Sequence, residues 1–131
     1  MTKLKINNDA LELIFTTYPI VKESLEHGGY LVGSSANYLI TGMNYNDIDI
    51  FFTNEELHST LTRRFITEYK YIVNKFGGLR YTCNNMDVDI WYSSLDRYIM
   101  KHKSKEVGYS YIYNYTSNTV IEFKNNNCIS T

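Results

Sequence analysis

Residues 47–53 read Asp-Ile-Asp-Ile-Phe-Phe-Thr, and the acidic and apolar side chains at the start of this stretch alternate with the period of a β-strand. Asp47 and Asp49 stand two positions apart, so their carboxylates project from the same face of that strand. Two anions on one face of an apolar strand cost free energy unless a cation or a set of hydrogen-bond donors meets them. A hard divalent ion such as Mg²⁺ takes carboxylate oxygens and completes its shell with water and phosphate. The stretch therefore predicts a strand that carries a metal site.

The same alternation of acidic and apolar residues recurs at 86–91, which read Met-Asp-Val-Asp-Ile-Trp. If this second strand neighbours the first, Asp87 or Asp89 adds a third carboxylate. Three carboxylates complete a site for two ions ~4 Å apart, the arrangement used for in-line phosphoryl or nucleotidyl displacement. The alternative is an exposed sheet face that carries scattered aspartates. Aspartate is a poor strand former, so two such strands together favour the functional interpretation.

A candidate phosphate-binding turn precedes these strands. Gly33-Ser34-Ser35 follows a short apolar strand at 30–32 and opens a short helix that ends at Gly42. Backbone N–H groups and serine hydroxyls at such a turn can cradle a triphosphate. A lone Gly-Ser-Ser is a weak signal, and its position 12 residues before Asp47 gives it weight.

The rest of the chain alternates helical and strand patterns. The expected fold is α+β (mixed α/β), a mixed β-sheet covered by helices on one face. The first predicted helix covers 8–27, is capped by Asn8 or Asp9, and is kinked or divided at Pro19. A second helix runs from Asn54 to Phe76, and a hairpin of 79–83 and 86–92 turns at Asn84-Asn85. A helix over 94–103 and strands at 107–115 and 119–123 follow.

Composition sets the class of protein. The chain has 131 residues, which suits one domain over 1–131, and its net charge of −1 gives no general drive toward nucleic acid. No apolar run approaches the ~20 residues that span a bilayer, and the N-terminus lacks the apolar core of a signal peptide. We therefore expect a cytoplasmic protein without a membrane partner, in which Cys83 and Cys128 stay reduced thiols and bind no zinc.

Other polar residues fit solvated positions better than catalytic ones. His27, His58 and His102 are far apart in the sequence and are interpreted as surface or boundary residues. Arg80 begins a hairpin strand, where it is either solvated or reaches a phosphate. Arg97, Lys101, Lys103 and Lys105 form either a solvated helix face or a patch that holds an RNA backbone or a triphosphate.

The two acidic strands and the turn together resemble a known pattern. Val32-Gly33-Ser34, a gap of 12 residues and Asp47-Ile48-Asp49-Ile50 are similar to the signature of the DNA polymerase β-like nucleotidyltransferase superfamily. The spacing over 33–49, including Gly42, is closest to the catalytic heads of CCA-adding enzymes and poly(A) polymerases. Val88-Asp89-Ile90-Trp91 resembles a segment of small stand-alone relatives, which favours Asp89 over Asp87 as the third acid.

The resemblance implies a metal-dependent nucleotidyltransferase that moves an NMP from an NTP to an acceptor hydroxyl and releases pyrophosphate. It implies that Asp47, Asp49 and Asp89 are the catalytic residues and hold Mg²⁺ (or Mn²⁺). Gly33, Ser34 and Ser35 would bind the nucleotide. Asn118 joins them because residues 115–120 resemble a late segment of CCA-adding heads. The acceptor stays open among an RNA 3′ end such as that of tRNA, a protein side chain and a small molecule.

The sequence also departs from the family pattern. Asn37-Tyr38 replace an Arg-Asp pair and Met43 replaces a later Arg, so the nucleotide specificity of CCA-adding enzymes is not implied. No residues remain for a helical neck and body, so we expect a catalytic head standing alone, with a homo-oligomer left open. The lost arginines also leave an alternative function, a non-catalytic module on the same fold that binds a nucleotide or a partner.

Overall fold

The computed structural model describes residues 4–75, 77–103 and 107–126. Within these residues, five helices and seven strands follow one another. They are α1 (Asn8–Thr17), α2 (Pro19–Glu26), β1 (Tyr30–Val32), α3 (Gly33–Thr41), β2 (Ile48–Phe52), α4 (Glu55–Glu68), β3 (Lys70–Val73), β4 (Leu79–Cys83), β5 (Met86–Tyr92), α5 (Leu95–Lys103), β6 (Val107–Asn114) and β7 (Thr119–Asn126).

All seven strands form one sheet in the order β3-β4-β5-β2-β1-β6-β7. The central pair β2–β5 runs parallel, and the other five neighbouring pairs run antiparallel. The predicted α+β fold with a mixed sheet is confirmed. β2 and β5 can pair in parallel because α4, β3 and β4 separate them in sequence and supply the crossover that a parallel pair needs.

The two faces of the sheet are covered differently. Alternation along β2 directs Ile50 and Phe52 into the main core beneath α1–α4, while Asp49 and Phe51 point to the other face. On that second face α5 packs through Tyr98, whose ring stacks on Phe51 with centroids 4.9 Å apart. The prediction that helices cover one face holds for α1–α4 and needs this correction for α5.

Local signals set the ends of the first two helices. The side-chain oxygen of Asn7 accepts a hydrogen bond of 3.1 Å from the backbone N–H of Ala10, so Asn7 caps α1 in place of the predicted Asn8 or Asp9. Pro19 occupies the first turn of α2, where its missing N–H costs nothing, and it divides the predicted 8–27 helix in two. None of the helices in the described ranges is long and apolar enough to cross a membrane.

The predicted helix from Asn54 ends earlier than expected. Asn54 caps α4 as predicted, but the helix stops at Glu68, and Lys70–Val73 form the edge strand β3. Ile72 and Val73 are 62% and 64% exposed, so the apolar residues assigned to a buried helix face pair with β4 instead. Aromatic and β-branched residues favour a strand over the last turns of a helix. The predicted end at Phe76 lies outside the described residues.

The remaining elements agree with the sequence. Asn84 and Asn85 take positive φ angles of 49° and 65°, as a two-residue hairpin turn requires, and they join β4 to β5. The helix predicted over 94–103 and the last two strands are present as α5, β6 and β7. Cys83 is a buried free thiol, and Cys128 lies outside the described residues.

Gly29 allows α2 to approach the sheet closely. A Cβ at this position would lie 2.8 Å from the backbone oxygen of Ser24 and 2.9 Å from Cγ2 of Ile50. We expect Gly29→Ala to lower the free energy of unfolding by about 1–3 kcal/mol, the usual cost of overpacking. Urea unfolding monitored by circular dichroism measures this change. An unchanged midpoint would mean that α2 does not pack against β2 as described.

Candidate active site

Three aspartates converge on the face of the sheet that α5 shares. In the parallel register, Asp49 of β2 lies directly beside Asp89 of β5, and Asp47 immediately precedes β2. One carboxylate oxygen from each residue lies within 4.8 Å of the other two. The structure therefore brings together the three acids that the sequence singled out. Asp87 shares the face of Asp89 but is 49% exposed in its side chain, against 13% for Asp89.

The three carboxylates line a cavity of about 670 Å³. This volume is in the range of ordinary small-molecule sites. Its wall is formed by the start of α3, the first turns of α4, the loop between β3 and β4, the end of β5, and α5. The cavity is thus large enough to admit a nucleotide beside the acids.

Gly33 packs so closely against the Asp49 carboxylate that no side chain fits between them. Val32 is the antiparallel partner of Asp49, so the chain leaves β1 at the level of that carboxylate. Gly33 has a positive φ of 71°, and a Cβ there would lie 2.5 Å from Oδ2 of Asp49. Glycine is required at this position by the backbone conformation and by the nearby carboxylate together.

The two serines that follow have different surroundings. Ser34 lines the cavity at the start of α3, and Asn37, one helical turn later, lines it as well. Ser35 is fully buried, and its hydroxyl donates a 3.2 Å hydrogen bond to the backbone oxygen of Val32. The Ser35 side chain therefore stabilises the turn from β1 into α3, and nucleotide binding by Ser35 stays a prediction for its backbone N–H.

Arg80 is the direct cross-strand partner of Asp89. Its Nε donates to Oδ1 at 2.9 Å and its Nη2 donates to Oδ2 at 3.0 Å, which is the two-pronged geometry of a strong arginine–carboxylate pair. Its Nη1 lies 3.6 Å from Oδ2 of Asp87. The sequence left two alternatives for Arg80, a solvated side chain or a phosphate contact, and the structure adds a further role, because the partly exposed guanidinium binds the third acid.

The crowding of like charges changes the acid–base behaviour of the site. Burial, followed by the negative charges of Asp47 and Asp89, raises the pKa of Asp49 to about 7, and the Arg80 guanidinium opposes this shift. The hydrogen bond from Arg80 to Asp89 and the attraction between the two raise the pKa of Arg80 further. In the absence of a cation Asp49 is therefore a proton-binding group near neutral pH.

Two cavity residues were not identified as site residues from the sequence. His58 and His102, interpreted there as surface or boundary residues, both line the cavity, and so does Lys101, which the sequence placed in a candidate basic patch. The ring of His102 stacks on Tyr98 with centroids 4.1 Å apart. Spacing could have grouped the α5 residues, because Tyr98, Lys101 and His102 lie at i, i+3 and i+4 on one helix face. Lys105 lies outside the described residues.

Asn118 is not brought to the cavity. It has a positive φ of 53° in the turn between β6 and β7. That turn follows Asn114, which is the partner of Tyr30 at the start of β1, whereas the acids lie at the level of Val32 at its end. Asn118 is therefore not among the residues that line this cavity, and its contact with the nucleotide stays a prediction. Asparagine suits this place because it tolerates the left-handed conformation of a tight turn.

The donor set fits a hard divalent cation. Three carboxylates within 4.8 Å of one another supply the oxygen ligands that Mg²⁺ and Mn²⁺ prefer. The raised pKa of Asp49 shows that the cluster lacks positive charge, which a cation would provide. Asp89 also retains acceptor capacity, because an ionised carboxylate has about four lone-pair sites and the arginine fork uses two.

Comparison with solved structures identifies the fold. A CCA-adding enzyme in complex with CTP matches 94% of this chain and 33% of its own, with a TM-score of 0.60 and 17% identity. The Thermotoga maritima CCA-adding enzyme complexed with tRNA matches 94% of this chain and 33% of its own, with a TM-score of 0.58 and 19% identity. A tRNA nucleotidyltransferase complexed with a primer tRNA and an incoming ATP analogue matches 79% and 34%, with a TM-score of 0.50 and 14% identity.

These matches show that the chain has the fold of the matched part of these enzymes, as the resemblance in the sequence implies. The chain spans about a third of the length of the enzymes it matches. No family model matches the sequence, and no curated protein does.

The raised pKa of Asp49 predicts a pH-dependent stability in metal-free protein. The carboxyl has a pKa of about 7 when folded and 3.8 as its ordinary value, so the folded state holds a proton that the unfolded state releases. This stabilising contribution is complete below about pH 4 and is lost as the pH rises through 7. With a chelator present, we expect the free energy of unfolding to fall by on the order of 2–4 kcal/mol from pH 5 to pH 8.

Substitution at Asp49 isolates this effect. Asp49→Asn should flatten the decline between pH 5 and pH 8, while Asp87→Asn, on the same strand face as Asp89 but half-exposed, should keep it. Urea unfolding at each pH measures the difference. An equal slope in wild type and Asp49→Asn would show that Asp49 is ionised throughout this range.

Proposed function

We propose that the protein is a metal-dependent nucleotidyltransferase that moves an NMP from an NTP to an acceptor hydroxyl and releases pyrophosphate. The observation that carries the proposal is the convergence of Asp47, Asp49 and Asp89 within 4.8 Å, in a cavity that also contains the start of α3. The fold supports it, since matching structures are CCA-adding enzymes solved with CTP and with ATP. Residues 1–131 act in this proposal as a single catalytic domain.

Each residue has a role that follows from its position. Asp47 and Asp49 hold the divalent cation or cations, and Asp89 completes the ligand set on the side of β5. The backbone N–H groups that begin α3 and the hydroxyl of Ser34 bind the β- and γ-phosphates, because the first N–H groups of a helix lack partners within it. Gly33 keeps the triphosphate and the Asp49 carboxylate close together.

The reaction forms a bond between the acceptor oxygen and the α-phosphorus. It breaks the bond from that phosphorus to the oxygen that bridges to the β-phosphate, so pyrophosphate leaves and the hydroxyl proton passes to solvent. Bound Mg²⁺ or Mn²⁺ supplies charge neutralisation and lowers the pKa of the attacking hydroxyl. The chain's own residues hold the acceptor oxygen, the α-phosphorus and the leaving pyrophosphate in line.

An RNA 3′ end is the acceptor class to test first. Matching structures were solved with tRNA or with a primer tRNA, and this supports RNA ahead of a protein side chain or a small molecule. The cavity lining includes Lys101 and His102, which suit an anionic substrate. The choice of NTP is tested with all four labelled in the α-phosphate.

The central prediction concerns the paired aspartates of β2. Wild-type protein should gain thermal stability when Mg²⁺ or Mn²⁺ is added, and it should transfer label from an α-labelled NTP to a pool of RNA. The double variant Asp47→Asn/Asp49→Asn should lose both properties. Its metal-free form should be at least as stable as wild type above pH 7, because a repulsion between like charges is removed.

Two further variants complete this experiment. Asp89→Asn should abolish transfer, while Asp87→Asn is the matched control on the same strand and should retain it. If the double variant keeps its metal response, the assignment of the site is wrong. If wild type binds NTP and no acceptor yields pyrophosphate, the protein is a nucleotide-binding module on this fold.

The close fit of Gly33 predicts a specific loss of nucleotide binding. Gly33→Ala should weaken NTP affinity by about tenfold or more, because its Cβ displaces Asp49 and intrudes on the phosphates. Gly42→Ala is a matched control at the other end of α3. It also has a positive φ, of 81°, but nothing lies within 4 Å of its Cβ. Calorimetry with NTP and Mg²⁺ should separate the two variants, and equal losses would contradict a role for this turn in binding.

A further inference from the structure

Arg80 holds the third acid of the site from the side opposite to the other two. β5 lies between β4 and β2 in the sheet, and Asp89 has Arg80 as its partner on one side and Asp49 on the other. The two hydrogen bonds of 2.9 and 3.0 Å engage both carboxylate oxygens. Because the fork is planar, it fixes the orientation of the carboxylate as well as its position.

The burial of the two side chains differs. The Asp89 side chain is 13% exposed, whereas Arg80, on the neighbouring strand β4, is 39% exposed. Removing Arg80 would therefore leave a largely buried carboxylate beside two others. The remaining lone pairs of the Asp89 oxygens are available to the cavity, so the pair is compatible with a cation at the site.

Charge gives Arg80 a second effect. When all three carboxylates are ionised they carry three negative charges, and the guanidinium contributes one positive charge in direct contact with one of them. A cation that enters the cluster meets the repulsion of Arg80 together with the attraction of the aspartates. Across about 6 Å in a solvent-exposed site, where the effective dielectric constant approaches that of water, one unit charge changes the binding of a divalent ion by about tenfold.

We propose that Arg80 is a built-in counter-ion and a positioning residue of this site. Its fork fixes Asp89 for the transfer step, and its charge limits the affinity of the carboxylate cluster for Mg²⁺ before a nucleotide arrives. A nucleotide triphosphate brings negative charge to the cavity and offsets Arg80, so Mg²⁺ and NTP bind together better than either binds alone. The positioning part rests on the proposed function, and the charge part does not.

Two variants separate charge from geometry. Arg80→Gln removes the charge and the fork, and it should bind Mg²⁺ alone about tenfold more tightly than wild type. Arg80→Lys keeps the charge without the planar fork, so its Mg²⁺ affinity should stay near that of wild type. Calorimetry with Mg²⁺ alone, without nucleotide, gives this comparison and needs no activity.

The kinetic result should differ from the binding result. Both variants should lower kcat by about tenfold or more, because a misplaced catalytic group costs this much. In Arg80→Lys, which keeps the charge, the KM for NTP should stay unchanged, because the turn at Gly33 and the cation held by Asp47 and Asp49 bind the nucleotide. Each kcat is divided by the number of NTP molecules bound per protein molecule, so that partial unfolding of a variant is excluded as the cause of a lower kcat.

Arg64→Gln is a matched control for surface ion pairs. Arg64 is 44% exposed, similar to Arg80, and it pairs with Glu23 and Glu68 away from the cavity. This variant should change neither Mg²⁺ affinity nor kcat. If Arg64→Gln changed Mg²⁺ affinity as much as Arg80→Gln does, the affinity would depend on the net charge of the protein and not on the position of Arg80. That result would overturn the proposal.

The outcomes distinguish this proposal from the proposed function. Unchanged Mg²⁺ affinity and kcat in Arg80→Gln, with an active wild type, would reduce Arg80 to an ordinary surface ion pair. Full kcat in Arg80→Lys would overturn the positioning role. If wild type transfers no NMP while Arg80→Gln still binds Mg²⁺ more tightly, the proposed function fails and the counter-ion role stands.

Discussion

The parallel pairing of β2 with β5 places Asp49 directly beside Asp89, and much of the site follows from this one register. Three carboxylates within 4.8 Å repel one another, and burial of Asp49 increases the cost. The surrounding structure accommodates them through the missing side chain at Gly33 and through the guanidinium of Arg80. Such a cluster raises the free energy of the folded state, and a bound cation would reduce the repulsion between the carboxylates.

Stability and the proposed chemistry therefore depend on the same groups. The apolar core beneath α1–α4 holds β2 and β5 from one face, which allows the other face to carry charges that oppose folding. On that face the rings of Phe51 and Tyr98 bring α5 over the sheet, so the helix forms one wall of the cavity. The candidate site thus lies between the sheet and α5, a short helix attached through aromatic contacts.

The sequence predicted the parts of this arrangement that depend on local periodicity. Strand alternation placed the acids on common faces, and the turn at Gly33 followed from a glycine between a strand and a helix. Contacts between distant residues were beyond such reasoning. Only the register of β4 with β5 makes Arg80 the partner of Asp89, and only tertiary packing buries Ser35. The strand at 70–73 was missed because its apolar residues also fit a continued helix, while sheet pairing decided the outcome.

Crystals grown with Mn²⁺ and a non-hydrolysable NTP analogue test the central claim most directly, because anomalous scattering locates the ion without any assumption about activity. The account predicts Mn²⁺ density in contact with the carboxylates of Asp47, Asp49 and Asp89, with the triphosphate at Gly33 and Ser34 and with Arg80 still on Asp89. Mn²⁺ bound elsewhere, or a nucleotide in the cavity with no ion at the three aspartates, would contradict it.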